Sequence, residues 1–132
     1  MVVDTSAIVA ILLGEPAAPL MTEAINRADS LQMSAATVLE ASIVLESRFG
    51  EVGREGLDSW LEGSAVEIVA VTRAQLDAAR KGFRRYGKGR HKASLNYGDC
   101  FSYGLAITLG ETLLFCGNDF SQTDVRKALP IQ

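Results

Sequence analysis

The sequence predicts an α/β fold with a mostly parallel central sheet and helices on both faces. Short apolar runs alternate along the chain with stretches of helical periodicity, the pattern that builds strand–helix–strand units. The composition, 48% hydrophobic and 22% charged, is that of an ordinary soluble α/β domain. The 132 residues fit one domain, 1–132, long enough to bury roughly two-thirds of its unfolded surface.

Met1-Val2-Val3 reads as a short buried strand that stops at Asp4. Residues 6–13 are apolar and helical, ended by Gly14. Pro16 sits where a helix start tolerates proline, so a second helix is predicted over 16–28. Residues 31–34 form a short strand. Thr37 then opens a helix that carries Leu39, Ile43 and Val44 at helical spacing and closes at Phe49-Gly50. A short helix over 55–63 puts Leu57, Trp60 and Leu61 on one face. Residues 66–71 hold β-branched side chains and are predicted as a strand. A helix from Thr72 or Arg73 through Tyr86 leads into the loop Gly87-Lys88-Gly89-Arg90. Asn96 caps a helix that Gly110 stops after Leu109. Residues 112–115 form the last strand, followed by the turn Gly117-Asn118-Asp119 and a short helix from Ser121, and Pro130 ends regular structure. Ala10, Leu13, Leu39 and Ile43 read as core, and Trp60 as a core anchor on a partly exposed helix.

This topology gives the acids their meaning. In open parallel sheets, sites form beyond the carboxyl ends of the strands. Asp4 follows the first strand and Asp119 the last, while Glu40 and Asp99 fall in the first turns of helices that strands lead into. Each acid also has a purely local explanation. Asp4 suits a helix N-cap, Thr37-x-x-Glu40 and Asn96-x-x-Asp99 have the form of capping boxes, and Asp119 suits a turn. Taken together, however, acids on one sheet edge repel one another. Two like charges at ~4 Å cost about 1 kcal/mol in bulk water and about 4 at an effective dielectric of 20. A divalent cation removes that cost. Carboxylates without His or Cys beside them select Mg²⁺ or Mn²⁺ over zinc, and an ion held this way suits phosphodiester hydrolysis.

Other chemistries fit less well. His91, the single histidine, lies in a basic loop, which disfavours a Ser-His-Asp triad. No GxGxxG or GxxxxGK[ST] phosphate loop is present. Cys100 and Cys116 form no CxxC pattern, which disfavours structural zinc and suits a reducing compartment. The early apolar run over 7–13 is too short to span a bilayer and lacks a cationic start, so the expected compartment is the cytoplasm, with no membrane partner.

Net charge is −3, so bulk charge does not announce a polyanion partner. Yet seven of the 13 Lys and Arg residues fall between Arg80 and Lys92, with no acid between Asp77 and Asp99. A stripe of one sign can hold nucleic acid locally. Arg84, Arg85, Lys88 and Arg90 are the candidate nucleic-acid contacts.

These residues resemble a known family. Val2-Val3-Asp4-Thr5-Ser6-Ala7 is similar to the opening of PIN-domain proteins. Glu40 after Thr37-Val38-Leu39 matches the family's second acid, and Asn96-Tyr97-Gly98-Asp99-Cys100-Phe101 its third. The segment from Leu113 to Phe120 resembles the one holding the fourth. Order, spacing and length resemble the VapC toxins of bacterial type II toxin–antitoxin systems. The chain departs from many relatives at Gly117, where an Asp or Asn is common. The fourth role is therefore assigned to Asp119, with Asn118 as helper and Asp124, in Ser121-x-x-Asp124, as the alternative.

The resemblance implies a PIN fold and endoribonuclease activity with Mg²⁺ or Mn²⁺ on Asp4, Glu40, Asp99 and Asp119. It implies Thr5 and Ser6 as groups that orient Asp4 and the metal's waters. It also implies cleavage of structured cellular RNA (transfer or ribosomal RNA), a homodimer, and inhibition by a VapB-type antitoxin. The rivals are a non-cutting PIN-like scaffold and a metal-dependent phosphatase. The first would be expected to lack an acid, and the second usually carries Asp-x-Asp where this chain has Asp4-Thr5-Ser6.

Overall fold

The computed structural model describes residues 1–130; the last two residues of the domain expected over 1–132 lie outside the described residues. Four parallel strands form one sheet in the order β3-β2-β1-β4. They are β1 (Val2–Val3), β2 (Gln32–Ser34), β3 (Glu67–Val69) and β4 (Leu113–Leu114). Five helices connect them: α1 (Thr5–Leu12), α2 (Ala18–Arg27), α3 (Ala35–Ser64), α4 (Arg73–Tyr86) and α5 (Tyr97–Leu109). The predicted α/β architecture with helices on both faces is the one observed.

The central strand shows why. Successive side chains of a strand point to opposite faces. Val2 packs with Leu105, Phe115 and Tyr103 on the face covered by α5 and α4. Val3 packs with Ile8, Met33, Leu45 and Leu57 on the face covered by α1, α2 and α3. Leu113 and Leu114 divide between the two layers in the same way. A strand buried on both faces must be apolar throughout, and β1 and β4 are.

Several boundaries differ from the predicted ones. The second helix begins at Ala18, with Pro19 rather than Pro16 in its first turn. A start at Pro16 would place Pro19 fourth in the helix, where its missing N–H is needed for an intrahelical bond. Ser34, not Thr37, caps α3: its hydroxyl accepts from the Ala36 N–H at 3.2 Å. As the last residue of β2 it already has the extended backbone an N-cap requires. The two helices predicted over 37–49 and 55–63 are joined end to end through Gly50. Its φ of 57° and ψ of −134° break the helical path in a region that glycine reaches without steric cost.

The core differs too. Ala10 is buried and Leu13 half-buried, but Leu39 and Ile43 are 61% and 57% exposed. The buried stripe of this helix is Thr37, Ala41 and Leu45 at four-residue spacing. Leu39 and Ile43 share that spacing but are offset by two residues, which turns them roughly 200° around the helix. Trp60 and Leu61 are partly buried against the α1–α3 layer. Asn96, Thr72 and Gly110 end their helices as predicted. The last helical piece is a 3-10 turn, Phe120–Gln122.

Candidate active site

Asp4 begins where β1 ends. Its N–H donates to the Leu114 carbonyl at 3.0 Å, so the sheet itself fixes its place. Its side chain caps α1, one oxygen accepting from the Ser6 N–H at 3.0 Å and the Ser6 hydroxyl at 2.7 Å. The other oxygen accepts from the Ser102 hydroxyl of α5 at 2.5 Å. Ser102 is in turn 3.2 Å from the Thr37 hydroxyl of α3, and Ser6 Oγ accepts from the Cys116 N–H at 3.0 Å. Asp4 is only 3% exposed, and this frame of hydroxyl and N–H donors is what permits a carboxylate there.

Glu40 does not close a capping box, because Thr37 lies inside the helix rather than at its cap. Its carboxylate accepts instead from the Thr5 hydroxyl at 2.6 Å. It also rests on Gly98 in the first turn of α5, where any Cβ would overlap the carboxylate. The absence of a side chain at Gly98 thus leaves room for the Glu40 carboxylate beside the first turn of α5.

Asp99 does close its box. It accepts from the Asn96 N–H at 3.0 Å, and its own N–H donates to Asn96 Oδ1 at 2.9 Å. Its carboxyl is nevertheless pushed up to about 7. Burial is the largest cause; the Asn96 N–H opposes it, and the charges of Asp4, Asp119 and Glu40 add to it. Asp119 is exposed at the start of the 3-10 turn, and its side chain makes no cap there. The local explanations therefore hold for Asp4, Asp99 and Asp119, which lies in a turn, and fail for Glu40.

The other predicted positions separate. Asn118 is exposed, and its carbonyl accepts from the Ser121 hydroxyl at 2.6 Å. Asp124 forms no capping box with Ser121. It accepts from the Tyr103 hydroxyl at 2.8 Å and pairs with Arg85 at 3.3 Å. Burial, then the bond to Asp124, raises the Tyr103 hydroxyl well above its ordinary range, so it stays a donor. His91 accepts from the Ala93 N–H at 3.0 Å and stands edge-on to the Tyr86 ring at 5.2 Å.

The basic stripe also divides. Arg84 and Lys88, together with Arg80, line a cleft between α4 and α5. Arg85 turns to Asp124 and lies 4.9 Å from the Tyr86 ring centroid, and Arg90 lies 5.6 Å from that of Phe83. The loop is tied to the start of α5 by Lys88 N–H donating to the Leu95 carbonyl at 2.8 Å.

The donor set fits a hard cation: carboxylates, with the hydroxyls of Thr5, Ser6 and Ser102 bonded to them and no imidazole among them. Among the described residues no three His, Cys, Asp or Glu side chains converge closely enough to hold an ion as placed. The carboxylates of Asp4, Glu40 and Asp99 are turned onto protein donors instead. Sequence reasoning missed Ser102, Gly98 and the part played by Thr37. Ser102 lies three residues after Asp99 and so shares its helix face, which is the signal that points to it.

A family model for the PIN domain matches residues 1–126. The chain is 57% identical over 125 residues to Ribonuclease VapC of Mycolicibacterium smegmatis, spanning 95% of this chain and 97% of that protein. It is 54% identical over 131 residues to Ribonuclease VapC30 of Mycobacterium tuberculosis, spanning 98% and 100%. Among solved structures, VapC20 of Mycobacterium tuberculosis, described as a sarcin-ricin loop cleaving toxin, superposes with a TM-score of 0.78 over 98% of both chains at 17% identity. VapBC2 from Rickettsia felis, bound to a DNA fragment from its promoter, gives 0.70 over 92% and 90% at 16% identity. The two structures share the fold, and the two sequence relatives carry the assignment further: the chain belongs to the PIN-domain family, among the VapC ribonucleases of toxin–antitoxin systems.

Proposed function

We propose that the protein is an Mg²⁺- or Mn²⁺-dependent endoribonuclease whose ion would be held by Asp4, Glu40, Asp99 and Asp119. The observation that carries this reading is that the Glu40 carboxylate rests on Gly98, next to Asp99 in the first turn of α5, while Ser102 of the same helix bonds the Asp4 carboxylate. When bound, the ion would activate water and stabilise the leaving oxygen of a phosphodiester. Ser6 and Ser102 hold the two oxygens of Asp4 in one orientation, and Thr5 does the same for Glu40. Asn118, beside Asp119 in the chain, assists from the exposed turn. Arg84, Lys88 and Arg90 would meet RNA phosphates that the carboxylates alone repel.

The substrate is a cellular RNA, transfer or ribosomal. The description of VapC20 as cleaving the sarcin-ricin loop supports the latter. The partner is a VapB-type antitoxin, consistent with the VapBC pairing of the Rickettsia felis protein. The working form is a homodimer of single PIN domains in the cytoplasm; among the described residues no helix is long and apolar enough to cross a membrane.

The test is cleavage of RNA by the purified protein with Mg²⁺ or with EDTA, beside Asp4→Asn and Asp99→Asn. Each variant should lose nearly all cleavage, and EDTA should abolish it in the parent. Wild-type rates from either variant would refute the assigned site.

A further inference from the structure

The carboxylate of Asp124 is bound from two helices. Tyr103 of α5 donates its hydroxyl to Asp124 Oδ1 at 2.8 Å, and Arg85 of α4 reaches Oδ2 at 3.3 Å. The Tyr103 ring is buried and passes against Gly82 of α4, where any Cβ would overlap it. A phenol held that deep needs an acceptor for its hydroxyl, and Asp124 supplies one. The pair with Arg85 is exposed on both sides and contributes little by comparison.

The bond bears on Asp119, five residues earlier. Asp119 is exposed and its side chain makes no cap, so its place depends on the backbone around it. The backbone that follows is a locked turn. The Thr123 N–H and hydroxyl both donate to the Phe120 carbonyl, at 3.1 and 2.8 Å, and the Val125 N–H donates to Thr123 Oγ1 at 3.3 Å. Phe120 and Val125 are buried in the same apolar layer as Tyr103. Such packing is non-directional and fixes how deep the turn sits. A hydrogen bond has a preferred line, so the bond to Tyr103 ties the turn to a chosen point on α5. That point is one helical turn from Asp99 on the same face. Ser102, the residue before it, holds Asp4. Adjacent residues of one helix thus address the first acid and the turn behind the fourth.

We propose that Tyr103 and Asp124 are positioning residues for Asp119: their hydrogen bond sets the register of the 119–124 turn along α5 and so where Asp119 stands relative to Asp99. The inference rests on the metal-dependent ribonuclease reading and gives Asp124 a role other than ligand. The charge of Asp119 acting on Asp99 agrees with it.

The experiment is Mn²⁺ titration of the purified full chain by calorimetry, at a temperature where circular dichroism shows each variant folded. Tyr103→Phe keeps the ring beside Gly82 and removes the donor alone. It should weaken Mn²⁺ binding about 2- to 10-fold, the range of one net hydrogen bond. Asp124→Ala should do the same, and the double variant no more than either. Asp124→Asn still offers an acceptor oxygen and should bind Mn²⁺ as the parent does. In an Asp119→Ala background Tyr103→Phe should change nothing further, because its effect runs through Asp119. A merely structural bond would lower the melting temperature in every background and leave the two effects on Mn²⁺ additive.

Parent affinity in Tyr103→Phe, or additive losses with Asp119→Ala, overturns the positioning role. Loss of affinity in Asp124→Asn with none in Tyr103→Phe overturns it too and makes Asp124 itself the ligand. In these cases Mn²⁺ binding and RNA cleavage by the parent leave the ribonuclease reading standing. A parent that binds no Mn²⁺ removes both.

Discussion

Ser102 and Asp4 are 98 residues apart in sequence and joined by a 2.5 Å hydrogen bond across the buried face of the sheet. That bond ties the third acid's helix to the first acid's strand. Ser102→Ala should leave one Asp4 oxygen buried without its donor, at a cost of about 1–3 kcal/mol of stability. Metal affinity and cleavage should fall about 10- to 100-fold, as for other groups that orient metal ligands. Urea denaturation and Mn²⁺ titration check the two effects. A variant as stable and as active as the parent would remove Ser102 from the frame.

Gly98 separates site geometry from stability. In Gly98→Ala the new methyl takes the space of the Glu40 carboxylate, which must swing away from Thr5. Alanine is the better helix former, by up to roughly 1 kcal/mol. Cleavage should therefore drop at least about tenfold while the thermal midpoint holds or rises. A fall in both, in proportion, would mean that α5 itself had shifted.

The raised Asp99 carboxyl sets a pH dependence for the metal-free protein. Its folded pKa of about 7 exceeds the ordinary carboxyl value, so the folded state binds the proton more tightly. The resulting stability is fully present only below the unfolded value of 3.8 and is lost progressively as pH rises from there through about 7. In EDTA the melting temperature should fall across that window from this group, and Asp99→Asn should remove that part of the slope. Added Mg²⁺ should stabilise most above pH 7, where the proton no longer competes for the carboxylate. A stabilisation by Mg²⁺ equal at pH 5 and pH 8 would contradict this coupling.

The basic stripe should act unevenly on RNA. Arg84 and Lys88 line the cleft, whereas Arg85 is paired with Asp124. Arg84→Ala and Lys88→Ala should each reduce the log–log salt dependence of RNA binding by roughly 0.7. Arg85→Ala should leave that slope unchanged and instead loosen Asp124. Equal slopes for all three variants would return the stripe to a merely solvated surface.

Much of this was legible in the chain because it depends on local signals. Asn96 and Gly110 mark the ends of α5 by capping chemistry alone, and alternation of element types gives the parallel sheet that brings Asp4 and Asp99 to one edge. The remainder is decided between elements. Leu39 and Ile43 have the spacing of a core stripe, as do Ala41 and Leu45, and only the docking of α3 onto the sheet selects between them. Gly98 reads as an unremarkable residue until Glu40 arrives from α3, and Ser102 as a neutral one until Asp4 arrives from β1. Asp124 carries a capping-box spacing, but Tyr103 and Arg85 claim its carboxylate from another helix.

The pairing of β1 with β4 joins segments that are synthesised far apart. Val2 and Val3 leave the ribosome 111 residues ahead of their partners Leu113 and Leu114. Until then Asp4 lacks the Leu114 carbonyl that holds its backbone, and Asp119 has not been translated. A growing chain therefore carries Asp4 through 110 further residues before Leu114 can fix its place. The two halves of the proposed site thus lie on segments made far apart in time, and an ion could be held there only once both are in place.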